Sequence, residues 1–170
     1  AGRIDVISPK SRSVIAKIDL ANKEDADGTM YMAHNVQVAP DGKSVWVTAN
    51  AMANHTASLK TRVLNKLFPT AYAGEGHNDV STSPDQVVVI DPLTDKITKR
   101  IDIGSDLHLA HVVLTPDSRF ALATSQNKAE VYKIDTKTFT VVATASAKAN
   151  AGPHGLRVSP DGKYAYVALM

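Results

Sequence analysis

The chain contains no cysteine, which removes disulfides, thiolate metal ligands and a cysteine nucleophile and leaves the redox compartment open. Aromatic residues are scarce, at 5%, and no basic stripe accompanies them, so single-stranded nucleic acid finds no stacking platform. A dominant charge is missing too. The 19 Lys and Arg against 17 Asp and Glu leave a formal charge of +2, too little to argue for nucleic acid or an anionic membrane as a partner. No apolar run approaches the roughly 20 residues of a membrane-spanning helix. There is no signal peptide at the start and the first residue is Ala1 rather than methionine, as expected of a processed product or a piece of something longer.

Several catalytic signatures are also absent. Neither a nucleophile elbow nor a phosphate-binding lysine loop occurs. Gly74-Glu75-Gly76 lacks the preceding strand and third glycine of a dinucleotide fingerprint. Asp25-Ala26-Asp27-Gly28 brings its glycine too early for a calcium loop and is expected to be a solvated acidic turn.

What the chain does have is repetition. Gly152-Pro153-His154-Gly155-Leu156-Arg157-Val158-Ser159-Pro160-Asp161-Gly162-Lys163-Tyr164-Ala165-Tyr166-Val167 reads as a loop carrying a histidine, a strand, a tight turn and a second strand. The run from Ala33 through Pro40-Asp41-Gly42 to Val47 and the run from Ala110 through Pro116-Asp117-Ser118 to Leu122 repeat it. A second hairpin alternates with the first, centred on Ser8-Pro9, Asp91-Pro92 and Asp135-Thr136, each an alternating run either side of a turn that Asp or Ser opens.

Two independent landmarks give one period. Pro116 and Pro160 are 44 residues apart, as are Asp91 and Asp135. Four strands in about 40–45 residues is the signature of a β-propeller blade, and the predicted fold class is therefore all-β. With the His-containing hairpin as strands A and B, the expected layout is a half blade C–D at 1–20, a full blade at 33–103, a full blade at 110–147 and a half blade A–B at 152–170. Pro40 and Pro116 are 76 apart; the excess is an insertion at 51–84 between strands B and C. Three blades' worth is fewer than the four to eight that close a ring. Completion by missing sequence is expected, with self-association into six blades as the alternative.

In such a blade strand A lies nearest the axis, and the D–A and B–C connections share one mouth of the channel. His34 and His154 precede strand A, His108 and His111 precede or begin it, and His55 and His77 lie in the insertion. All six histidines therefore map to one mouth. The register has a flaw: His34 and His154 stand six residues before the turn proline, whereas His111 stands five before and Ala110 takes the equivalent place. A one-residue offset along a regular strand turns a side chain to the other face. The His108–His111 spacing suits a metal on a helix turn, but no helix is expected there. Within the insertion, Leu59, Val63, Leu64 and Leu67 at helical spacing, closed by Pro69, predict a short amphipathic helix: a lid, a docking element or a packed excursion.

The Gly152-Pro153-His154-Gly155 loop with Val158-Ser159-Pro160-Asp161-Gly162-Lys163-Tyr164 resembles the repeat of YVTN-type propellers, a group that includes exported and surface-layer proteins. It is also similar to the propeller domain of nitrous oxide reductase, and more distantly to the haem-binding propeller of cytochrome-type nitrite reductase. In nitrous oxide reductases, histidines at this place hold a copper cluster. The resemblance implies a periplasmic or extracellular location and carries His34 and His154 over as candidate ligands.

Two functions from different classes follow. One is an exported binding scaffold whose His-lined mouth takes a partner protein or small ligand. The other is a metal- or haem-dependent oxidoreductase, or part of one, with copper or haem on His34 and His154, joined by His111, His108 or His77, and a cytochrome-like electron donor. Imidazole is a common ligand for such metals, and a catalytic site generally needs three or more protein ligands. The structural alternative is that each of these histidines fastens its loop to the neighbouring blade.

Overall fold

A computed structural model of the chain describes residues 2–21, 29–52 and 83–170. The proposed helix over Ser58–Phe68, His55, His77 and the acidic turn at Asp25–Gly28 lie outside the described residues.

All regular structure among the described residues is β-strand. The first pair is β1 (Arg3–Ser8) and β2 (Ser13–Asp19), followed by β3 (Met30–Val38), β4 (Val45–Met52), β5 (Asp85–Asp91) and β6 (Lys96–Gly104). The next four are β7 (Leu109–Leu114), β8 (Phe120–Ser125), β9 (Glu130–Asp135) and β10 (Thr140–Ser146), and the chain ends with β11 (Pro153–Val158) and β12 (Ala165–Leu169). They form two four-stranded antiparallel sheets, in the orders β3-β4-β5-β6 and β7-β8-β9-β10, and two separate hairpins, β1-β2 and β11-β12. This is the arrangement of consecutive propeller blades: half, full, full, half. The two halves do not pair with each other, so among the described residues β1 and β12 each have one edge that no further strand pairs with.

The blades stack face to face, and the sequence shows why. In β5 the unbroken apolar run Val87-Val88-Val89-Ile90 is buried on both faces. Val87 and Val89 join Trp46, Leu109, Val112, Ala121, Ala123 and Ile134 in the core between the two full blades. Val88 and Ile90 turn the other way, to Val47, Tyr31, Ile18 and Leu20 under the β1-β2 hairpin. Period-two alternation thus serves two cores at once. β10 is exposed along its whole length, as befits the outermost strand of a blade.

The turns are built locally. Asp41, Asp117 and Asp161 each accept the backbone N–H two residues on, at 3.0, 3.0 and 3.1 Å. Asp91 and Asp135 do the same at 2.8 and 2.9 Å. Gly42 and Gly162 take φ of 70° and 73° in the Pro-Asp-Gly turns, and Ser118 takes 58° at the same position. These side-chain-capped turns set the register of the five hairpins they close.

Candidate functional site

The inner strands β3, β7 and β11 carry one shared irregularity. Ala33 pairs with Ala49 and Val36 with Val47; Leu109 pairs with Ser125 and Val112 with Ala123; Pro153 pairs with Leu169 and Leu156 with Val167. In each copy three steps on the inner strand match two on its neighbour, which is a β-bulge. The paired bulge residues are His34 and Asn35, Ala110 and His111, and His154 and Gly155. All of the repeat's inner-strand histidines therefore sit on the one feature that re-aims side chains at a sheet rim.

A threonine holds each of the first two bulges and ties it to the next blade. The hydroxyl of Thr48 accepts from the amide of Asn35 at 2.9 Å and donates to the carbonyl of Ala110 at 3.1 Å. Thr124 accepts from the amide of His111 at 3.0 Å and donates to the carbonyl of His154 at 2.9 Å. The Asn35 side chain adds a second link, accepting from the amide of Val112 at 3.0 Å. The third copy has Ala168 at the threonine position and Gly155 in the second bulge place.

These ties bring four imidazoles together. The ring of His34 lies 5.5 Å from that of His154, 5.9 Å from His108 and 6.5 Å from His111. His111 and His154 are 5.1 Å apart. The one-residue offset does not exclude His111, because both bulge places can face the cluster where a regular strand would separate them. His108 joins from the loop before β7, at φ 50°, and no helix turn is involved.

His34 has a defined proton. Its Nδ1 is 3.0 Å from the Ala110 carbonyl oxygen, which can only accept, so Nδ1 carries the hydrogen, and in the neutral ring Nε2 is the nitrogen with the lone pair. His34 thereby fastens its loop to the neighbouring blade, as the structural alternative requires, without using the nitrogen a ligand would need. His111 differs. Its buried Nδ1 has no hydrogen-bond partner among the described residues. Burial pushes its imidazole below the ordinary histidine value, helped by the charges of His154, His34 and Arg157.

Asp85 anchors the wall behind the cluster. It accepts from the amides of Ala51, Leu107 and His108 at 2.7, 2.9 and 3.0 Å. Burial raises its carboxyl above the usual range, with the Ala51, Leu107 and His108 amides opposing the rise. Asn50 bonds both the amide and the carbonyl of Leu109, at 2.7 and 3.0 Å. Sequence reasoning missed both residues, and neither repeats at its equivalent position.

The fit to a metal is partial. With metal–nitrogen bonds of about 2 Å, two imidazoles on one tetrahedral ion bring their ring centres to about 5 Å. The His111–His154 and His34–His154 spacings are close to that and the His34–His111 spacing is wider. Among the described residues, no three His, Asp or Glu side chains are placed around a common ion position.

Fold and site together define a β-propeller whose inner bulges gather histidines. No protein-family profile and no curated protein sequence matches the chain. Solved structures do. Hydrazine synthase from Kuenenia stuttgartiensis superposes with a TM-score of 0.67 at 18% identity, over 97% of this chain and 48% of that one. The periplasmic gluconolactonase of Pseudomonas aeruginosa gives 0.59 at 15% identity, over 98% and 42%. The Dos1 propeller gives 0.57 at 11% identity, over 97% and 36%. The chain thus spans less than half the length of these structures, and at such identities the likeness is one of fold. Among the described residues no helix is long and apolar enough to cross a membrane.

Proposed function

We propose that the chain is part of an exported, YVTN-type β-propeller, a rigid scaffold that binds a partner protein or small ligand at the mouth lined by His34, His108, His111 and His154. The observation that carries this reading is the convergence of those four side chains, from two full blades and a half blade, on one place. The backbone around His34, His111 and His154 is held by threonine and asparagine rather than by the histidines alone. An exported location is supported by the YVTN-type resemblance and by the periplasmic gluconolactonase among the structures of like fold. Photo-crosslinkers at position 154 and at Lys163, on the opposite turn face, test the proposal in the native host. A specific adduct from the mouth alone supports it; equal capture from both faces defeats it.

A second reading, a nitrous oxide reductase-like copper or haem protein, is favoured by one specific observation: the His34–Ala110 bond leaves Nε2 free, the arrangement metal-bound imidazoles commonly use. His154 and His111 would then be the neighbouring ligands. Such a metal would supply redox chemistry to substrate in an open position. Metal analysis and a visible spectrum of protein isolated from its own host decide this; less than half an equivalent of tightly bound metal or haem ends it.

A further inference from the structure

Arg157 lies on β11 two residues beyond the bulge, at the place held by Gln37 in β3 and Val113 in β7. These three side chains line one open cavity of about 500 Å³, with Pro40 and Pro116 also in its lining. Arg157 also lines a second cavity, of about 490 Å³, with His111, Gly155, Tyr166 and Ala168. Arg157 therefore borders both cavities.

Among the described residues no carboxylate pairs with it. Its guanidinium donates, among the described residues, to the carbonyl of its neighbour Leu156, at 3.1 Å, one donor used of five. Neither cavity has an aspartate or glutamate in its lining. Its field is felt by His111, which lines the second cavity beside it. The room is made by the third copy's departure from the repeat. Gly155 replaces the side chains of Asn35 and His111, and Ala168 replaces those of Thr48 and Thr124, beside the second cavity.

We infer that Arg157, with His111 and the neighbouring imidazoles, forms a binding site for a small organic anion carrying carboxylate or phosphate groups. A planar guanidinium fork takes either group through two parallel hydrogen bonds, and a neutral imidazole N–H supplies a further donor without a change of charge. The inference rests on reading the mouth as a ligand site and adds the ligand's charge class.

Titration calorimetry of the full chain with inorganic phosphate, succinate and citrate tests it. Binding of at least one probe is expected, weakened by salt, and the probe that binds identifies the anionic group. Arg157 is exposed, so Arg157→Met should fold and should lose at least tenfold in affinity. Gly155→Asn, which restores the first copy's residue, should fill the cavity and lose a similar factor while the melting temperature holds. Affinity within twofold of the parent in Arg157→Met, or no binding of any probe at millimolar concentration, overturns the inference. If a neutral or metal probe binds and is lost in His34→Ala but not in Arg157→Met, the anionic class is wrong and the ligand mouth survives.

Discussion

The Nδ1 of His34 donates to the carbonyl of Ala110, the residue that stands at its own position in the next repeat, at 3.0 Å. The same carbonyl also receives the Thr48 hydroxyl, at 3.1 Å. Two side chains of one blade therefore grip one backbone atom of the next, directly beneath the histidine cluster.

Thr48→Val tests that grip. Thr48 is fully buried, and valine keeps its shape while leaving the Asn35 amide without its acceptor. A loss of about 1–3 kcal/mol is expected, as for other buried groups left unsatisfied. Thr48→Ser should retain most of it. Urea unfolding of both variants provides the comparison; equal midpoints would sink the assignment.

His111→Asn should stabilise the fold. It removes a buried nitrogen that has no partner among the described residues and restores the side chain with which Asn35 reaches Val112. A gain of about 1 kcal/mol is expected, and with it a loss of whatever the mouth binds. Stability and ligand binding moving in opposite directions is the informative result.

Two turn residues predict opposite signs from one backbone position. Arg12 and Phe139 end equivalent hairpin turns with φ of 54° and 57°, a region that costs side-chain-bearing residues about 1 kcal/mol or more. Arg12 is exposed, so Arg12→Gly should raise stability by about 0.5–1 kcal/mol. Phe139 stacks on Trp46 at 6.2 Å, so Phe139→Gly should destabilise by about 1–3 kcal/mol despite the relieved strain. Thermal melts of the two variants should separate in direction.

Strong acid should weaken the turns. The carboxyl of Asp135 is held below its ordinary value by the Thr138 and then the Lys137 amide, and that of Asp91 by the Leu93 amide. The Thr115 hydroxyl lowers Asp117 and the Ser159 hydroxyl lowers Asp161. Because the folded values lie below the unfolded ones, the stabilisation is full above the ordinary aspartate range and is lost as pH falls through the folded values. Asp135→Asn keeps an acceptor without the charge and should flatten that acid slope. Unfolding midpoints from pH 5 to pH 2 measure it.

The blade architecture was legible because its signals are local and repeated. The 44-residue spacing of Pro116 and Pro160 follows from turns that each aspartate caps within three residues, and the run Val87–Ile90 announces a strand covered on both sides. The bulge left no such mark. Counting back from the turn proline set His111 one place off, yet two bulge residues share one rung, so the offset did not separate it from His34 and His154. Arg157 went unnoticed for a related reason: its equivalents are Gln37 and Val113, and a cation in one copy of three looks like surface variation. The best available clue was compositional: Thr48 and Thr124 stand at matching places, and Ala168 breaks the pair.

The bulge on each inner strand has a consequence for how such an opening changes over generations. In the first two copies its backbone is held by a hydroxyl from the adjoining strand and by blade packing, so the bulge does not rest on its two displayed side chains alone. Imidazole, amide, methyl and bare hydrogen already occupy these places within one chain. New chemistry at the rim is therefore within reach of single codon changes that leave the disc beneath untouched.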